Sequence, residues 1–415
     1  MSPNLQLSFW KRMGLEEEHR DLCLRIVRDL YPRYKVEESK NQGYCSFTIL
    51  VSPSGKSVAS SLHNWEEPLS TDIAGRIRIR NLPSFIVQLR PPQHTLDLTL
   101  THAAVQTYGP LAPSVQPLAC NLPCPLHAFQ LDKIPGIPFS HQRPHTGTLN
   151  PSAYDKQATL IKSLAIFLAK AWPAPSPSHP STSSNPSPRT IRADSPLAET
   201  PEFLLSQCSG NVGARLIPKL KKLSLLLPHA SLRARAADTL AQLLELRDYP
   251  IVLNHGDLIP SNIMLDPETW ALQGVVDWAE AEYLPFGTCF YGLEHFLGYL
   301  DMQPIPNPNP NAIISDPSPP VPVFRYYTSA PQLRKLFWET LVSYAPGIQD
   351  RINDVMLAKD VGVLLWYGFA WDEGAIDRVV NVEEDREEME CLRAFLEGEG
   401  EGEGDAWPGG GVSDI

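Results

Sequence analysis

The chain has 415 residues, 43% hydrophobic and 20% charged, with 35 Lys and Arg against 47 Asp and Glu for a net charge of −12. Such a chain is long enough for two globular lobes or domains. Eleven acids against two arginines within residues 383–405 carry −9 of that charge, and no basic surface of the kind a nucleic-acid backbone requires remains.

Trp10-Lys11-Arg12 runs directly into Glu16-Glu17-Glu18, unlike the basic-then-apolar order of a signal peptide. No stretch approaches the ~18 apolar residues of a membrane span. A cytoplasmic monomer, bound neither to nucleic acid nor to membrane, is the expectation. Seven cysteines, scattered and odd in number, do not make a disulfide framework. Cys120, Cys124 and His127 pose a choice between a zinc site with loose spacing and no nearby fourth ligand, and buried thiols.

In chain order, Leu15, Leu22, Ile26, Val27 and Leu30 fit one face of a helix over 15–31. Cys45-Ser46-Phe47-Thr48-Ile49-Leu50-Val51 is β-rich and stops at a Ser-Pro-Ser-Gly turn. Arg76-Ile77-Arg78-Ile79-Arg80 alternates like a half-buried strand, and Phe85-Ile86-Val87-Gln88-Leu89 follows as another, ended by Pro91-Pro92. A helix over 95–107 and a short strand Ala128-Phe129-Gln130-Leu131 complete a small mixed unit. Residues 155–171 read as a helix. The Pro/Ser/Thr-rich stretch 173–200 lacks the apolar surface to offset the entropy of ordering and reads as a disordered insertion. A Pro/Asn-rich loop is expected over 303–323, and a disordered Glu-Gly tail after Glu397. Between these last two, helices return: Leu333, Leu336, Phe337, Leu341 and Tyr344 share a face, and 355–369 is apolar enough for a central core helix.

The segment that carries chemistry is Ile251-Val252-Leu253-Asn254-His255-Gly256-Asp257-Leu258-Ile259-Pro260-Ser261-Asn262, followed fifteen residues past Asn262 by Asp277-Trp278 at the end of an apolar strand. Phosphoryl transfer needs a carboxylate to take or orient the proton of an attacking hydroxyl. It also needs hard oxygen ligands for a magnesium ion bridging the nucleotide phosphates. Asp257 fits the first role, and Asn262 with Asp277 fits the second.

These residues resemble the aminoglycoside phosphotransferase and choline kinase family, which carries His-Gly-Asp, an Asn five residues beyond the Asp, and then Ile/Val-Asp-Trp. Protein kinases proper have His-Arg-Asp and Asp-Phe-Gly at these places. The resemblance implies an α+β, two-lobed protein-kinase-like fold, with a small sheet-rich N-lobe and a larger, mainly helical C-lobe. The parts expected are a helical extension over 1–36, the N-lobe over 37–140, the C-lobe over 141–396 and a tail over 397–415. It implies an ATP- and Mg2+-dependent small-molecule kinase with His255 and Asp257 in the catalytic loop. Gln42-Gly43-Tyr44-Cys45-Ser46-Phe47-Thr48 is similar to the nucleotide-covering loop of fungal members, which puts Gly43 and Ser46 at the nucleotide. Leu131-Asp132-Lys133-Ile134-Pro135-Gly136 resembles their hinge, which puts Leu131 and Lys133 beside the adenine. Leu284-Pro285-Phe286-Gly287 and Tyr291-Gly292-Leu293-Glu294 resemble the segment after the metal aspartate.

One departure stands out. Where family members place a Lys or Arg on the third small-lobe strand, this chain has Gln88. Arg90, two residues on and therefore on the same side of a strand, either supplies that charge, with Asp97 as its partner, or is a solvated strand end. The alternative to an active kinase is accordingly a catalytically weak nucleotide-binding or scaffold protein of the same fold. Trp278, Glu280, Glu282, Trp366, Asp372 and Glu373 are candidates to line the acceptor site, where acids beside aromatics would suit a cationic acceptor. The competing readings make Trp366 core and Glu280 and Glu282 a solvated loop face.

Overall fold

The computed structural model describes residues 7–40, 42–54, 83–173, 201–303 and 320–397. The expected strand at 76–80, most of the expected insertion and the acidic tail lie outside the described residues. The chain divides into two compact units, one of Met1–Val105 with Ala112–Ile134 and the other of Gln106–Leu111 with Pro135–Ile415. A mixed α+β composition, sheet-rich towards the N-terminus and helical towards the C-terminus, follows the expected class.

In the first unit, the helices α1 (Phe9–Arg12) and α2 (Glu18–Leu30) precede β1 (Tyr34–Glu38), β2 (Phe47–Pro53) and β3 (Phe85–Arg90). Helix α3 (Leu98–Tyr108), whose last residues from Gln106 on belong to the second unit, β4 (Val115–Pro117) and β5 (His127–Asp132) follow. The described strands form one antiparallel sheet in the order β1-β2-β3-β5-β4. Alternation decides its faces. Phe47, Ile49 and Val51 of β2 and Phe85, Val87 and Leu89 of β3 are buried in one core with Phe9, Trp10, Cys23, Leu24 and Val27, each such side chain contributing about 1.5–3 kcal/mol. The helical residues expected as an extension thus belong to the core under the sheet. Gln88 lies opposite Thr48 of β2 and Phe129 of β5, in the register of the other face.

Cys124 joins that core, hydrogen-bonded to the Cys23 thiol, whose pKa burial pushes up to about 12. Burial also raises Cys120 and Cys124, and His127 hydrogen-bonds Thr95 through Nδ1 at 2.9 Å. Cys124 and His127 are thus each hydrogen-bonded to another residue, Cys23 and Thr95, and Cys120 is half-buried.

The second unit contains β6 (Ile137–Pro138), α4 (Pro151–Ala169), α5 (Pro201–Ser206), α6 (Gly210–Gly213), α7 (Leu216–Leu226) and α8 (Ala230–Leu243). The strands β7 (Ile251–Asn254), β8 (Ile263–Leu265), β9 (Leu272–Val275) and β10 (Glu282–Pro285) come next. Helix α9 (Tyr291–Leu297), β11 (Gly298–Gln303), β12 (Val321–Tyr326), α10 (Ala330–Tyr344), α11 (Ile352–Tyr367) and α12 (Arg386–Glu397) complete it. Helix α4 starts where Asn150 accepts from the Ala153 N–H at 2.9 Å ahead of Pro151, a pairing that favours helix initiation. Helix α11 is apolar nearly all round and buried from Val355 to Tyr367 apart from Met356, Asp360 and Trp366, as a central helix must be. Its one buried cation, Lys359, meets Glu294 of α9 at 2.5 Å, and Arg334 of α10 meets the other carboxylate oxygen at 2.9 Å.

The expected loop at 303–323 is narrower than its composition implies. Its ends belong to β11 and β12, which pair from Gly298↔Tyr326 to Gln303↔Val321. Pro322 is tolerated because β12 pairs on one side alone. Among the described residues no helix is long and apolar enough to cross a membrane.

Candidate active site

Strand β7 delivers the loop 255–262, and β8 and β9 fold back as a hairpin with Ile263 opposite Val275. The hairpin turn is held by Asp266, whose carboxylate accepts from the Glu268 and Thr269 N–H groups at 3.1 and 2.8 Å. This brings Asn262 level with Val276, whose N–H donates to the Asn262 carbonyl at 2.9 Å. Residues fourteen apart in sequence thus become neighbours through a short, locally specified turn.

Within the loop, Asn262 Nδ2 donates to the Asp257 carbonyl at 2.9 Å and to its carboxylate at 2.8 Å. His255 is fully buried. Its Nε2 donates to the Val276 carbonyl at 2.9 Å and its Nδ1 accepts from the Asp257 N–H at 3.2 Å. Those partners fix the neutral tautomer, and burial brings its pKa down to about 4. His255 therefore ties the loop at Asp257 to the segment just before Asp277. Gly256 sits at φ +77°, and a Cβ there would come within 1.8 Å of the Glu280 carbonyl oxygen, so this position admits only glycine.

Burial holds Asp257 well above the usual carboxylate range, with the charges of Glu280 and Asp277 adding to the effect and the Asn262 hydrogen bond opposing it. Asp277 adopts left-handed backbone angles, φ 63° and ψ 66°. Such a conformation costs a non-glycine residue of order 1 kcal/mol or more and tends to occur at functional sites. Among the described residues no three His, Cys, Asp or Glu side chains could hold a metal by themselves. Magnesium asks for less, since it retains waters and takes one or two carboxylates or amide oxygens. Asn262 uses its amide nitrogen on Asp257, and an amide oxygen is among the hard ligands such a cation takes. The negative charge gathered around Asp257 likewise suits a divalent cation.

The acceptor-lining candidates separate. Glu280 lies close enough to raise Asp257. Trp278 is 4% exposed, donates to the Val275 carbonyl at 2.8 Å and packs on His255 and Tyr108, so it is core. Glu282 is neither a loop residue nor solvated. It is buried in β10, its carboxylate accepting from the Val212 and Gly213 N–H groups at 2.9 and 2.7 Å. Asp372 is engaged by Arg378 at 2.9 and 3.1 Å. Trp366 stacks on Tyr291 with centroids 5.0 Å apart.

Tyr291 is a residue that sequence reasoning did not single out. Its hydroxyl accepts from the buried Leu258 N–H at 3.0 Å, next to Asp257. Nothing local in the sequence marks this bond, because its partners lie 33 residues apart. Tyr291→Phe orphans that N–H and is expected to destabilise the second unit by about 1–3 kcal/mol; thermal melting checks this, and an unchanged melting temperature would show the bond to be dispensable.

The remaining candidates lie in the first unit. Gly43 and Ser46 share one tight turn, where a Cβ on Gly43 would approach the Ser46 hydroxyl to 2.7 Å. Arg90 is 2% exposed, so it is not a solvated strand end. Its Nε donates to Gln88 at 3.1 Å and its Nη1 to the His94 carbonyl at 3.4 Å. Asp97, expected as its partner, accepts from the Thr99 and Leu100 N–H groups at the start of α3. Leu131 is buried in β5 between Ile86 and Val115, and Lys133 is exposed just after it.

A sequence model of the phosphotransferase enzyme family matches residues 76–287, just over half of the chain, including Gln88, Arg90, the 255–262 loop and Asp277. No curated protein matches. Solved structures with a distant likeness include macrolide 2′-phosphotransferase from Brachybacterium faecium, at 13% identity over 92% of this chain and 99% of that one, TM-score 0.40. Another is an aminoglycoside phosphotransferase from Streptomyces rimosus in complex with ADP and streptomycin, at 12% identity over 82% and 98%, TM-score 0.37. A third is an aminoglycoside-3′-phosphotransferase of type VIII, at 15% identity over 68% and 84%, TM-score 0.33.

Proposed function

The chain belongs to the phosphotransferase enzyme family, and on that premise we propose that it transfers the γ-phosphoryl group of ATP to a hydroxyl of a small molecule. The observation that carries this reading is the joining of Asp257, Asn262 and the Asp277 segment by direct hydrogen bonds through one loop and one hairpin. In this reading Asp257 takes or orients the proton of the acceptor hydroxyl as its oxygen attacks phosphorus. The Asn262 side-chain oxygen and the Asp277 carboxylate would hold magnesium, which when bound offsets the charge on the transferring phosphates. His255 and Tyr291 keep the loop in place. Gly43 and Ser46 would face the phosphates, Leu131 and Lys133 the base, and Arg90, oriented by Gln88, would take the part that a strand Lys or Arg plays in other members.

The acceptor wall is smaller than the sequence implied. Trp278 lies in the core, Glu282 is bound to backbone and Asp372 is engaged by Arg378, and we assign the acceptor side to Glu280, whose charge bears on Asp257. A second reading, a weakly active nucleotide-binding protein, is favoured by Gln88 itself and opposed by the intact Asp257, Asn262 and Asp277.

Magnesium-dependent stabilisation by ATP tests the site shared by both readings. At ATP well above Kd the melting temperature should rise by several degrees, and Asp277→Ala should remove the magnesium-dependent part. A rise unaffected by Asp277→Ala would overturn the assignment of Asp277 to the metal.

A further inference from the structure

We propose that Cys23 and Cys124 form a redox-reactive pair, a modification site in the first unit that hydrogen peroxide converts to a disulfide. The proposal stands apart from the phosphotransfer reading, since neither cysteine belongs to that site.

The two thiols meet although they lie 101 residues apart in the chain. Cys23 sits in the middle of α2, fully buried with Leu24 and Val27 in the core under the sheet. Cys124 sits in the irregular segment 118–126 between β4 and β5, where Leu118, Cys120 and Leu122 pack against the same core. The Cys23 S–H donates to the Cys124 sulfur, which holds the proton on Cys23 and favours the thiolate of Cys124. A disulfide requires the sulfurs to close to about 2 Å, so one side of the pair must move. The loop side can do so. Cys124 belongs to no strand and stands between Pro123 and Pro125, neither of which has an N–H to lose from a ladder. Its shift therefore breaks no sheet pairing. Cys124 also keeps 9% of its surface exposed against none for Cys23, so a small oxidant meets Cys124 first.

The two sulfurs have unequal roles, because the thiolate is the nucleophile. Burial raises both thiols, Cys23 up to about 12, but for Cys124 the hydrogen bond from Cys23 opposes the rise. The Cys124 thiolate attacks one oxygen of the peroxide and the O–O bond breaks. Its sulfur becomes a sulfenic acid, and the departing hydroxide takes up the proton that Cys124 had released. The Cys23 sulfur then attacks the Cys124 sulfur and the S–O bond breaks. The hydroxide that leaves accepts the Cys23 proton. Two thiols and one peroxide thus give one disulfide and two waters, with both sulfurs oxidised and both peroxide oxygens reduced. The product bolts α2 to the segment that leads into β5. A cross-link closing so long a loop restricts the unfolded chain and stabilises the fold.

The test treats the full-length protein with hydrogen peroxide under native conditions. The remaining thiols are alkylated after unfolding, and unreduced peptides are mapped by mass spectrometry. The peptide carrying Cys23 should appear joined to the one carrying Cys124, two hydrogens lighter than their sum, with Cys120, Cys208, Cys289 and Cys391 alkylated. The melting temperature should rise by several degrees, and dithiothreitol should reverse both changes. Cys23→Ser, which lacks the second thiol, should leave a sulfenic acid on Cys124 that dimedone captures. Cys23 and Cys124 both alkylated after peroxide would overturn the proposal. So would a link from Cys120 to Cys124, or a Cys23–Cys124 link that forms only when peroxide is added in urea. The mapping is read on wild type, so a Cys23→Ser variant that fails to fold leaves the test intact.

Discussion

Asp257→Asn lowers kcat by about 10²- to 10⁴-fold, the range that a positioned general base contributes, while Mg-ATP affinity stays within a few-fold of wild type. The substitution is nearly isosteric. Asn262 reaches both the backbone carbonyl and the side chain of residue 257, so one of its two anchors survives and the loop keeps its path. What disappears is the carboxylate that can accept a proton. Burial, Glu280 and Asp277 all oppose charge on Asp257, so the site concentrates negative charge that a divalent cation relieves. Removing one carboxylate should therefore ease the crowding and leave nucleotide affinity largely intact. Steady-state kinetics beside calorimetric titration of Mg-ATP separates these effects. A variant with near-normal kcat would show that Asp257 is not the base.

Lys359→Met is expected to cost the second unit about 3–5 kcal/mol, because it leaves a buried carboxylate short of its main counter-charge. Glu294 is 1% exposed and is shared between Lys359 and Arg334, so the cluster ties α9, α10 and α11 together. Burial alone would raise the Glu294 carboxyl, but the two cations bring its pKa down to about 2, below the ordinary 4.5. A depressed folded-state pKa stabilises the fold above the unfolded value, and that contribution is lost as pH falls from about 4.5 through about 2. Wild type should thus lose stability over that acid window, and Lys359→Met, already lacking most of the contribution, should show a flatter dependence there. The double variant Glu294→Gln, Lys359→Met removes both charges and should recover much of the loss. Thermal melting between pH 3 and 7 checks all three. A single variant as stable as wild type at pH 7 would show that the pair carries no net weight.

The sequence was most legible where the structure is local. Strand β7, the 255–262 loop and the β8–β9 hairpin form one contiguous run, so spacing alone brings Asn262 beside Val276 and orders Asp257 within the same loop. Side chains whose partners lie far along the chain were not legible. Glu282 and Asp372 look like acids free for a ligand until Val212 and Gly213 claim the first and Arg378 the second. Trp278 looks like an aromatic wall until Tyr108, 170 residues earlier, closes over it. The proline-rich run hid the paired ends of β11 and β12, since composition reports on the middle of a segment better than on its edges. Helix α1 is four residues long and too short for any period to register, although Phe9 and Trp10 belong to the core under the sheet.

The central claim is tested most directly by ADP formation from Mg-ATP across a panel of hydroxylated and amine-bearing small molecules, with wild type and Asp257→Asn side by side. A small-molecule kinase releases ADP faster with at least one member of the panel, only with magnesium present, and Asp257→Asn abolishes that acceleration. Tight Mg-ATP binding with no acceleration by any member, or acceleration equal in both proteins, would contradict it.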